Sequence, residues 1–398
     1  MVKYLINKNS ILQLQSSKKN EFINSLNSNG VKSNLILDIS TKGYLVNKKK
    51  LKNTKTKVLS FFSGAGGLDI GAQLAGAEVL SSLDFDKDSV QTLKSNNYFS
   101  KAEHLCEDIR NISAINYKKI LKEKNPEKLI LIGGPPCQPF SKAGYWVTHK
   151  KRLGNKDPRN MISEYLRLVS EIKPDGFVLE NVESILHPKN INTVNILEEL
   201  IYKLNYQFIR FKDDAINYGV PQKRKRVFFI ATKRNLKFFP KRTHGYDYDD
   251  TQLLNYERVI DWIYKFDDIK YEEREEKTLN KTYDKELKEI PPGENYFALT
   301  KRENYPKPKF EANKRFWSFL LKLHPLLPSW TIPAQPGPWV GPFHWNNRRL
   351  RVNEIAAIQT FPSDYKFFGT RRSVQKQIGN AVPPLMARSI IEYLLKQI

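Results

Sequence analysis

The amino-acid sequence predicts an α/β protein with a doubly wound, mainly parallel sheet and a second, smaller and irregular domain. From residue 57 to about residue 239, short apolar runs that end at glycine or proline alternate with helix-like stretches. Strands and helices that alternate in this way form parallel sheets with helices on both faces. The alternation then stops, and a stretch rich in Tyr, Trp, Pro and mixed charge follows.

Five apolar runs are the predicted strands, and they cover residues 58–62, 77–83, 129–134, 176–180 and 227–232. Helical patterns occupy residues 68–74, a stretch from residue 87, residues 164–171 and residues 384–397. Ligands of doubly wound sheets bind beyond the carboxyl ends of the strands. The residues that directly follow these apolar runs are therefore the candidates for a functional site.

The charge of the chain indicates a polyanionic partner. The formal net charge is +24, with 66 basic and 42 acidic residues, and nucleic acid is the first candidate for such a partner. The two cysteines, Cys106 and Cys137, are too few for a disulfide framework or a four-cysteine zinc site. We expect a reducing cytoplasm, since the sequence also lacks a membrane-length apolar run and a signal-peptide pattern.

A glycine-rich loop follows the first predicted strand and reads Phe61-Phe-Ser-Gly-Ala-Gly-Gly-Leu-Asp. The dinucleotide fingerprint would use Gly64 and Gly66, but Asp69 stands where its third glycine belongs, so a dehydrogenase is excluded. A strand-to-helix glycine loop still suits a nucleoside. Asp84 could bind ribose hydroxyls and Asp108 an adenine amino group, although a structural turn with capping acids would also explain these residues.

Cys137 follows the apolar run at residues 129–134, on a loop with prolines on both sides. A structural cysteine usually lies within an apolar run, whereas Cys137 lies beyond it, where active sites of such sheets are found. An ordinary thiol has a pKa of about 8.5, so a nucleophile at this position needs local help to ionise. Cys106 has no comparable setting, and we assign it a packing role.

Glu180 ends the next apolar run along the chain, and Arg224 and Arg226 alternate directly before the last one. Neighbouring parallel strands bring Glu180 close to Cys137, and burial at a strand end raises the pKa of a carboxyl group toward a proton-donating range. The alternating arginines point the same way and could hold a base oxygen or a phosphate. A capping glutamate and a solvated basic edge are the structural alternatives.

Five motifs in order resemble those of the DNA (cytosine-5) methyltransferases of bacterial restriction–modification systems. They are Phe62-Ser-Gly-Ala-Gly-Gly, Gly134-Pro-Pro-Cys-Gln-Pro-Phe-Ser, Glu180-Asn-Val, Gln222-x-Arg-x-Arg and Gln377-Ile-Gly-Asn-Ala-Val-Pro-Pro. The resemblance extends from about Lys57 to the C-terminus. It implies the S-adenosylmethionine-dependent methyltransferase fold, and methyl transfer to carbon 5 of a flipped-out cytosine in a specific double-stranded DNA sequence.

The same resemblance implies a role for each motif residue. Cys137 would be the nucleophile that forms the covalent intermediate, Glu180 would protonate or hold ring nitrogen 3, Arg226 would bind the cytosine oxygen, and Arg224 would support that loop. Phe62 would stack on the adenine of S-adenosylmethionine. The full cofactor set would be Phe62, Ser63, Gly64, Ala65, Gly66, Gly67, Asp84, Phe85, Asp108, Ile109, Gly134, Pro136, Asn380, Ala381 and Val382.

Four segments follow from this assignment. Residues 1–56 form a basic N-terminal extension, residues 57–239 the first part of the catalytic and cofactor-binding domain, residues 240–349 the target-recognition domain, and residues 350–398 a segment that rejoins the catalytic domain. In the third segment, Trp330, Trp339 and Trp345 lie among glycines and prolines. Each of these tryptophans fits a packed aromatic loop at least as well as a DNA contact.

Two stretches depart from the family pattern. Arg351 and Asn353 replace a usual Thr and Arg, and one residue is missing after Asp157, which leaves either Met161 or Ile162 to line the cofactor pocket. The alternatives in function are a cytosine-5 tRNA methyltransferase and a DNA-binding regulator without activity. We expect a monomer that binds double-stranded DNA and no membrane, needs no metal, and protects host DNA from a partner restriction endonuclease by function rather than by contact.

Overall fold

A computed structural model describes residues 55–136, 161–245, 253–278 and 281–398 of the chain. Nearly all of the basic extension, residues 1–56, lies outside the described residues. Cys137 and the rest of its loop up to residue 160 also lie outside them.

The described residues form one sheet of seven strands in the order β3-β2-β1-β4-β5-β7-β6. The strands are β1 Thr56–Phe61, β2 Glu78–Asp84, β3 Glu103–Cys106, β4 Lys128–Gly133, β5 Gly176–Val182, β6 Gln207–Asp214 and β7 Lys225–Thr232. Strands β1 to β5 are parallel to one another, whereas β7 runs antiparallel to β5 and to β6. The predicted doubly wound, mainly parallel sheet is confirmed.

Alternate side chains of the central strands enter two different cores, because successive residues of a strand point to opposite faces. Leu59, Leu131 and Phe177 belong to one apolar cluster. Their chain neighbours Val58 and Ile130 belong to another. Helices therefore cover both faces of the sheet, which explains why these strands read as continuous apolar runs.

Ten α-helices lie in the described residues: α1 Gly67–Leu74, α2 Lys87–Lys94, α3 Ala114–Lys124, α4 Met161–Ile172, α5 Ile191–Lys203, α6 Val259–Ile263, α7 Asp284–Glu289, α8 Val352–Ile358, α9 Arg371–Asn380 and α10 Pro384–Leu395. Helices α1 and α10 pack on one face of the sheet, and α4 and α5 pack on the other. A Cβ atom on Gly71 would lie 2.3 Å from the Cβ of Ala387, so α1 and α10 are in close contact. No helix in these described ranges combines the length and the apolar character that a membrane crossing requires.

Strands β3 and β6 were not predicted, and the packing role assigned to Cys106 is wrong. Cys106 is an exposed free thiol at the carboxyl end of β3. Strand β3 is a short edge strand whose four residues are all exposed or half-buried. It therefore lacks the apolar run on which strand prediction depends.

Residues 253–349 contain little regular structure but have an apolar core of their own. Leu287, Tyr296, Phe319 and Phe343 are among its buried members. Residues 259–266 instead share a cluster with α8 and α9. Trp339 packs against the separate core and Trp345 is buried in the shared cluster, so these two tryptophans belong to the packed aromatic alternative.

Arg351, one of the two departures from the family pattern, joins the irregular region to the last segment. Its Nη2 lies 3.1 Å from a carboxylate oxygen of Glu276, and its Nη1 donates to the carbonyl oxygens of Phe266 and Asp268 at 2.6 and 2.7 Å. All four contacts of this buried guanidinium go to protein. The substitution therefore has a structural reason, and its side chain lies in a link between two parts of the chain.

Candidate active site

Strands β1 and β4 end at the same level of the sheet, where β5 continues beside β7 for three more residues. Phe61 of β1 pairs with Gly133 of β4, and Gly133 pairs with Leu179 of β5. The next residues along the chain are the glycine loop, Gly134 and Glu180. Because neighbouring strands lie about 4.8 Å apart, this register brings the three predicted elements of the site together at the carboxyl edge.

Glu180 forms a buried ion pair with Arg226. Its Oε1 lies 2.8 Å from the Nε of Arg226, and the two side chains are 10% and 11% exposed. Within the described part of the chain the Nε–H has no aligned acceptor, so its contact with Glu180 is an ion pair rather than a well-formed hydrogen bond. Burial raises the pKa of the Glu180 carboxyl group, while Arg226 and Arg224 oppose that rise.

Arg226 reaches Glu180 because β7 is antiparallel. Val182, near the end of β5, pairs with Arg226 at the start of β7. A parallel strand would have placed its end, not its beginning, at this edge of the sheet. The predicted convergence of Glu180 with Arg226 is therefore present, and it depends on the reversed direction of β7.

Arg224 is fully buried and binds backbone carbonyl groups. Its Nη2 donates to Gly379 O at 2.6 Å and its Nη1 to Ile332 O at 3.4 Å. Its own amide donates to a carboxylate oxygen of Asp214 at 2.6 Å. Arg224 thus fixes the backbone from which Arg226 extends, by bonds to two distant parts of the chain.

The first residues of the cysteine loop contact β5 directly. A Cβ atom on Gly134 would lie 2.9 Å from Oε2 of Glu180. Asn181 donates from Nδ2 to the carbonyl oxygen of Pro135 at 3.3 Å. Sequence reasoning gave Asn181 no role, although it lies within the Glu-Asn-Val motif; its position beside Glu180 was the available signal. The described part of the loop ends at the exposed Pro136, one residue before Cys137.

The glycine loop turns tightly at the end of β1. The amide of Ser63 donates to Leu83 O at 3.1 Å, and the amide of Gly66 donates to Ser63 O at 2.8 Å. Gly64 and Gly66 have positive φ angles of 52° and 81°, which favour glycine. Among the described residues other than its two chain neighbours, none would have a heavy atom within 4 Å of a Cβ atom on Gly64, so the loop has open space there for a ligand.

Two carboxylate side chains hold the backbone of this loop and of the strands beneath it. Asp84 accepts from the amides of Gly64 at 2.7 Å and Asp86 at 2.8 Å. Asp69, whose side chain is fully buried, accepts from Ser60 Oγ at 2.9 Å and Ser82 Oγ at 2.6 Å. Burial raises the pKa of Asp69 to about 6. The residue that breaks the dinucleotide fingerprint is therefore part of the scaffold under the loop.

The remaining predicted cofactor residues on β2 and β3 lie at the same sheet edge. Phe85 follows β2 and is 76% exposed, an unusual environment for a large apolar ring. Asp108 accepts from Arg110 at both carboxylate oxygens, while Ile109 beside it is buried. An adenine amino group at Asp108 would share these oxygens with Arg110.

The last segment of the chain closes over the glycine loop. A Cβ atom on Gly67 would lie 2.2 Å from Val382 O and 3.2 Å from the Cβ of Ala381. Tyr365 donates from its hydroxyl group to Ala65 O at 2.7 Å. Asn380, which ends α9, is exposed at this junction. The structure thus brings residues 380–382 against the loop, as the sequence motif suggested.

Within the described ranges, one group of acidic and histidine side chains has the spacing of metal ligands. It consists of Asp267, His344 and Glu354. Arg348 lies between its two carboxylates, 2.7 Å from each of Asp267 Oδ1 and Glu354 Oε1. The guanidinium supplies the positive charge that a cation would bring. We therefore interpret the cluster as a structural ion-pair network.

The comparisons with known proteins agree with this arrangement. A sequence model of C-5 cytosine-specific DNA methylases matches residues 56–396. The chain belongs to the C-5 cytosine-specific DNA methylase family. It is a DNA cytosine-5 methyltransferase with the fold of the S-adenosylmethionine-dependent enzymes. The tRNA alternative is not favoured, because the family is described by its action on DNA.

Two curated relatives cover most of the chain. The type II methyltransferase M.SacI of Streptomyces achromogenes is 33% identical, over 87% of this chain and 94% of its own length. The type II methyltransferase M1.HphI of Haemophilus parahaemolyticus is 30% identical, over 85% of this chain and 86% of its own.

Solved structures share the fold. A putative DNA modification methyltransferase from an Escherichia coli prophage has a TM-score of 0.59 and 27% identity, with 86% of this chain and 99% of that one covered. A DNMT2 mutant from Spodoptera frugiperda has a TM-score of 0.56 with 16% identity, with 85% and 99% covered. The latter likeness concerns the fold alone.

Proposed function

We propose that the protein methylates carbon 5 of a flipped-out cytosine in a specific double-stranded DNA sequence, with Cys137 as the nucleophile. The observation that carries the proposal is the register that pairs the last residues of β1 and β4, Phe61 and Gly133, with Leu179 of β5, directly before Glu180. This register joins the glycine loop, the cysteine loop and Glu180 at one edge. The net charge of +24 supports a DNA duplex as the substrate.

Each residue type fits one requirement of the chemistry. Carbon 5 of cytosine is a poor nucleophile until a thiolate adds to carbon 6 and a proton reaches ring nitrogen 3. Cys137 would supply the thiolate. Glu180, whose pKa burial raises, would supply or share the proton, and Arg226 beside it would bind the cytosine oxygen. Once carbon 5 has gained the methyl group, loss of its proton and of the Cys137 thiol would restore the aromatic ring.

Base flipping is needed because carbon 6 is inaccessible within the stack, and it costs a few kcal/mol. Phosphate contacts from the basic surface would offset this cost. Glu180 and Arg226 would add contacts to the Watson–Crick edge and oxygen of the extrahelical base. We assign sequence readout to residues 240–349, which contain the separate apolar core around Phe319.

The glycine loop fits S-adenosylmethionine, which the family and the fold imply as the methyl donor. The open space at Gly64 and the exposed ring of Phe85 accommodate a nucleoside. Phe62, residues 63–67, Asp84, Phe85, Asp108 and Ile109 would hold the nucleoside, with Gly134, Pro136 and residues 380–382 around the rest. When bound, the cofactor supplies an electrophilic sulfonium methyl group.

Methyl transfer to purified DNA tests the proposal. Protein, plasmid DNA or tRNA, and S-adenosylmethionine with an isotopically labelled methyl group are incubated, and nucleosides are analysed by mass spectrometry. We expect labelled 5-methylcytosine in DNA, and bisulfite sequencing then identifies one short sequence. The Cys137→Ser variant should bind DNA and transfer no label. Label in tRNA alone, or a fully active serine variant, would contradict the proposal.

We further propose that the modification protects DNA from a restriction endonuclease with the same target. Two relatives named as type II methyltransferases support this role. The endonuclease would be a partner through the shared DNA sequence rather than through protein contact, and the methyltransferase would act as a cytoplasmic monomer. Modified plasmid should resist an endonuclease that cuts the mapped sequence, and cleavage at wild-type rates would contradict this role.

A further inference from the structure

An exposed aromatic pair lies next to the arginine segment of the active site. Trp317 and Trp330 are 46% and 36% exposed. Their ring centroids are 4.4 Å apart with the planes at 71°, and the Nζ of Lys223 lies 4.4 Å from the centre of the Trp330 ring. Large exposed rings that are grouped in this way mark interaction surfaces. Phe316, which is 74% exposed, extends the group. We call Phe316, Trp317 and Trp330 the aromatic platform.

The backbone under the platform is fixed from both sides. Ser329 O accepts from the amide of Lys223 at 2.8 Å, and the amide of Ser329 donates to Pro221 O at 2.8 Å. Thr331 Oγ1 donates to Lys223 O at 2.7 Å. The segment around Trp330 is thus bonded on both sides of the tryptophan to the segment that carries Arg224 and Arg226.

The segment that presents Trp317 is anchored by buried side chains. Asn295 Nδ2 donates to Trp317 O at 2.7 Å, and the hydroxyl group of Tyr296 donates to Arg315 O at 3.0 Å. Asn295 and Tyr296 are buried, whereas residues 313–317 are all exposed. The rings are therefore held outside the protein on a fixed backbone, which lowers the entropy cost of binding.

The charge around the platform favours DNA over an apolar protein partner. Residues 313–317 read Asn-Lys-Arg-Phe-Trp, with two cations and no acid. Lys223 adds a further positive charge, against the ring of Trp330. Cations interleaved with exposed rings are the pattern of surfaces that bind phosphates and stack on bases.

Distance along the chain places the platform close to the target base. Lys223, which contacts Trp330, is three residues from Arg226, so their Cα atoms lie at most roughly 11 Å apart. Successive nucleotides of one strand rise about 3.4 Å. The backbone beneath the platform is thus at most about three nucleotide steps from Arg226, so bases next to a cytosine held by Glu180 and Arg226 are the nearest candidates for contact.

We propose that Trp317 and Trp330 stack on DNA bases within three positions of the flipped cytosine. This inference rests on the proposed function and names the DNA-contacting side chains beside its site. Stacking on an aromatic ring tolerates any base, since every base has a π-face. The platform would thus stabilise the opened duplex, while other groups of the recognition region read the sequence.

Duplex binding by matched variants tests the inference. The Trp317→Ala and Trp330→Ala variants are compared with Tyr202→Ala. Tyr202 is also exposed and packs edge-on against Phe208, with centroids 5.2 Å apart. Phe208 lies near the start of β6, where β7 ends and β5 begins, so this control lies at the opposite edge of the sheet from Glu180.

Dissociation constants are measured by fluorescence anisotropy at one fixed salt concentration, with a duplex that contains the mapped methylation site. Loss of one stacking ring should weaken binding roughly 5- to 100-fold. Trp330→Phe should recover most of the affinity, and Tyr202→Ala should bind as the wild type does. Affinity for S-adenosylmethionine should not change. Wild-type duplex affinity in both tryptophan variants would overturn the inference.

A photochemical experiment on the wild-type protein avoids any folding defect of the variants. Duplexes carry 5-iodouracil at one of the three positions on either side of the target cytosine and are irradiated with the protein. Attachment to Phe316, Trp317 or Trp330 supports the inference, and attachment only elsewhere overturns it. A wild-type protein that methylates no DNA would contradict the proposed function, whereas active protein with unchanged tryptophan variants contradicts this inference alone.

Discussion

Glu180 Oε1 lies 2.8 Å from Arg226 Nε, with both side chains about nine-tenths buried. Glu180 lies two residues before the end of the parallel strand β5, and Arg226 is the second residue of its antiparallel neighbour β7. A buried carboxylate against a buried guanidinium is costly to form and more costly to break, because removal of one partner leaves the other charge uncompensated. A costly ion pair at this edge of the sheet is what we expect of residues that take part in the reaction.

The Glu180→Gln substitution tests whether Glu180 takes part in the reaction. It keeps the side-chain shape but removes the proton donor and the charge beside Arg226. We expect the rate of methyl transfer to fall about 10²- to 10⁴-fold, the usual contribution of general acid catalysis. Steady-state kinetics with the mapped duplex measure the loss. Glu183→Gln is the matched control, since Glu183 is 46% exposed and pairs with Lys212. Rates within threefold of the wild type for Glu180→Gln would contradict the assignment.

The raised pKa of Asp69 predicts that the free energy of unfolding depends on pH. Its pKa in the folded protein is raised to about 6 from a model-peptide value of 3.8. Because folding favours the protonated form, the stabilisation is complete below the unfolded pKa and is lost as the pH rises through the folded one. Asp69→Asn cannot ionise, so the variant should gain about 2 kcal/mol on the wild type between pH 4 and pH 7. Urea unfolding at several pH values measures the difference. A difference that stays constant with pH would show that Asp69 is not buried as the structure has it.

Gly67 controls the contact between the cofactor loop and the last segment. A Cβ atom there would lie 2.2 Å from Val382 O, and relief of that overlap requires a backbone shift. We expect Gly67→Ala to lose about 1–3 kcal/mol of stability and to bind S-adenosylmethionine at least about tenfold more weakly. Calorimetry measures both quantities. In the control Gly337→Ala, the added carbon would lie 3.4 Å from Val340 Cγ2, so it should leave both unchanged. Unaltered cofactor affinity in Gly67→Ala would argue against this closure.

The contacts of Arg224 predict how its substitution changes the stability of the protein and the KM for DNA. Lysine cannot reproduce the two bonds to Gly379 O and Ile332 O, and a lost bond from a charged donor costs about 1.5–3 kcal/mol. Arg224→Lys should therefore unfold at a lower urea concentration and show a raised KM for DNA. Arg234 is exposed, so the control Arg234→Lys should change neither the urea midpoint nor the KM for DNA. A variant as stable as the wild type would show that the carbonyl contacts contribute little.

The central strands were predictable from the sequence because they are buried on both faces. Runs such as Leu129-Ile-Leu-Ile need no alternation to be recognised. Strand β6 alternates apolar and charged residues from Ile209 to Lys212, and it lies at the edge of the sheet. Its weaker apolar signal explains why it was missed.

The site was predictable where residues stand at the ends of apolar runs, as Glu180 does. The antiparallel direction of β7 was not predictable, because it depends on the pairing of β7 with β5 and β6 rather than on a local pattern. The exposed position of Cys106 has a similar origin. A small residue of moderate polarity takes its environment from the strand that carries it, and the edge strand β3 was not recognised.

Covalent trapping tests the central claim most directly. A duplex with 5-fluorocytosine at the mapped position is incubated with the protein and S-adenosylmethionine. Fluorine cannot leave carbon 5 as a proton does, so the thiol cannot be released and the covalent product accumulates. We predict one protein–DNA adduct that contains the transferred methyl group, mapped by mass spectrometry to Cys137. An active enzyme that forms no adduct, or one attached at Cys106, would contradict the account.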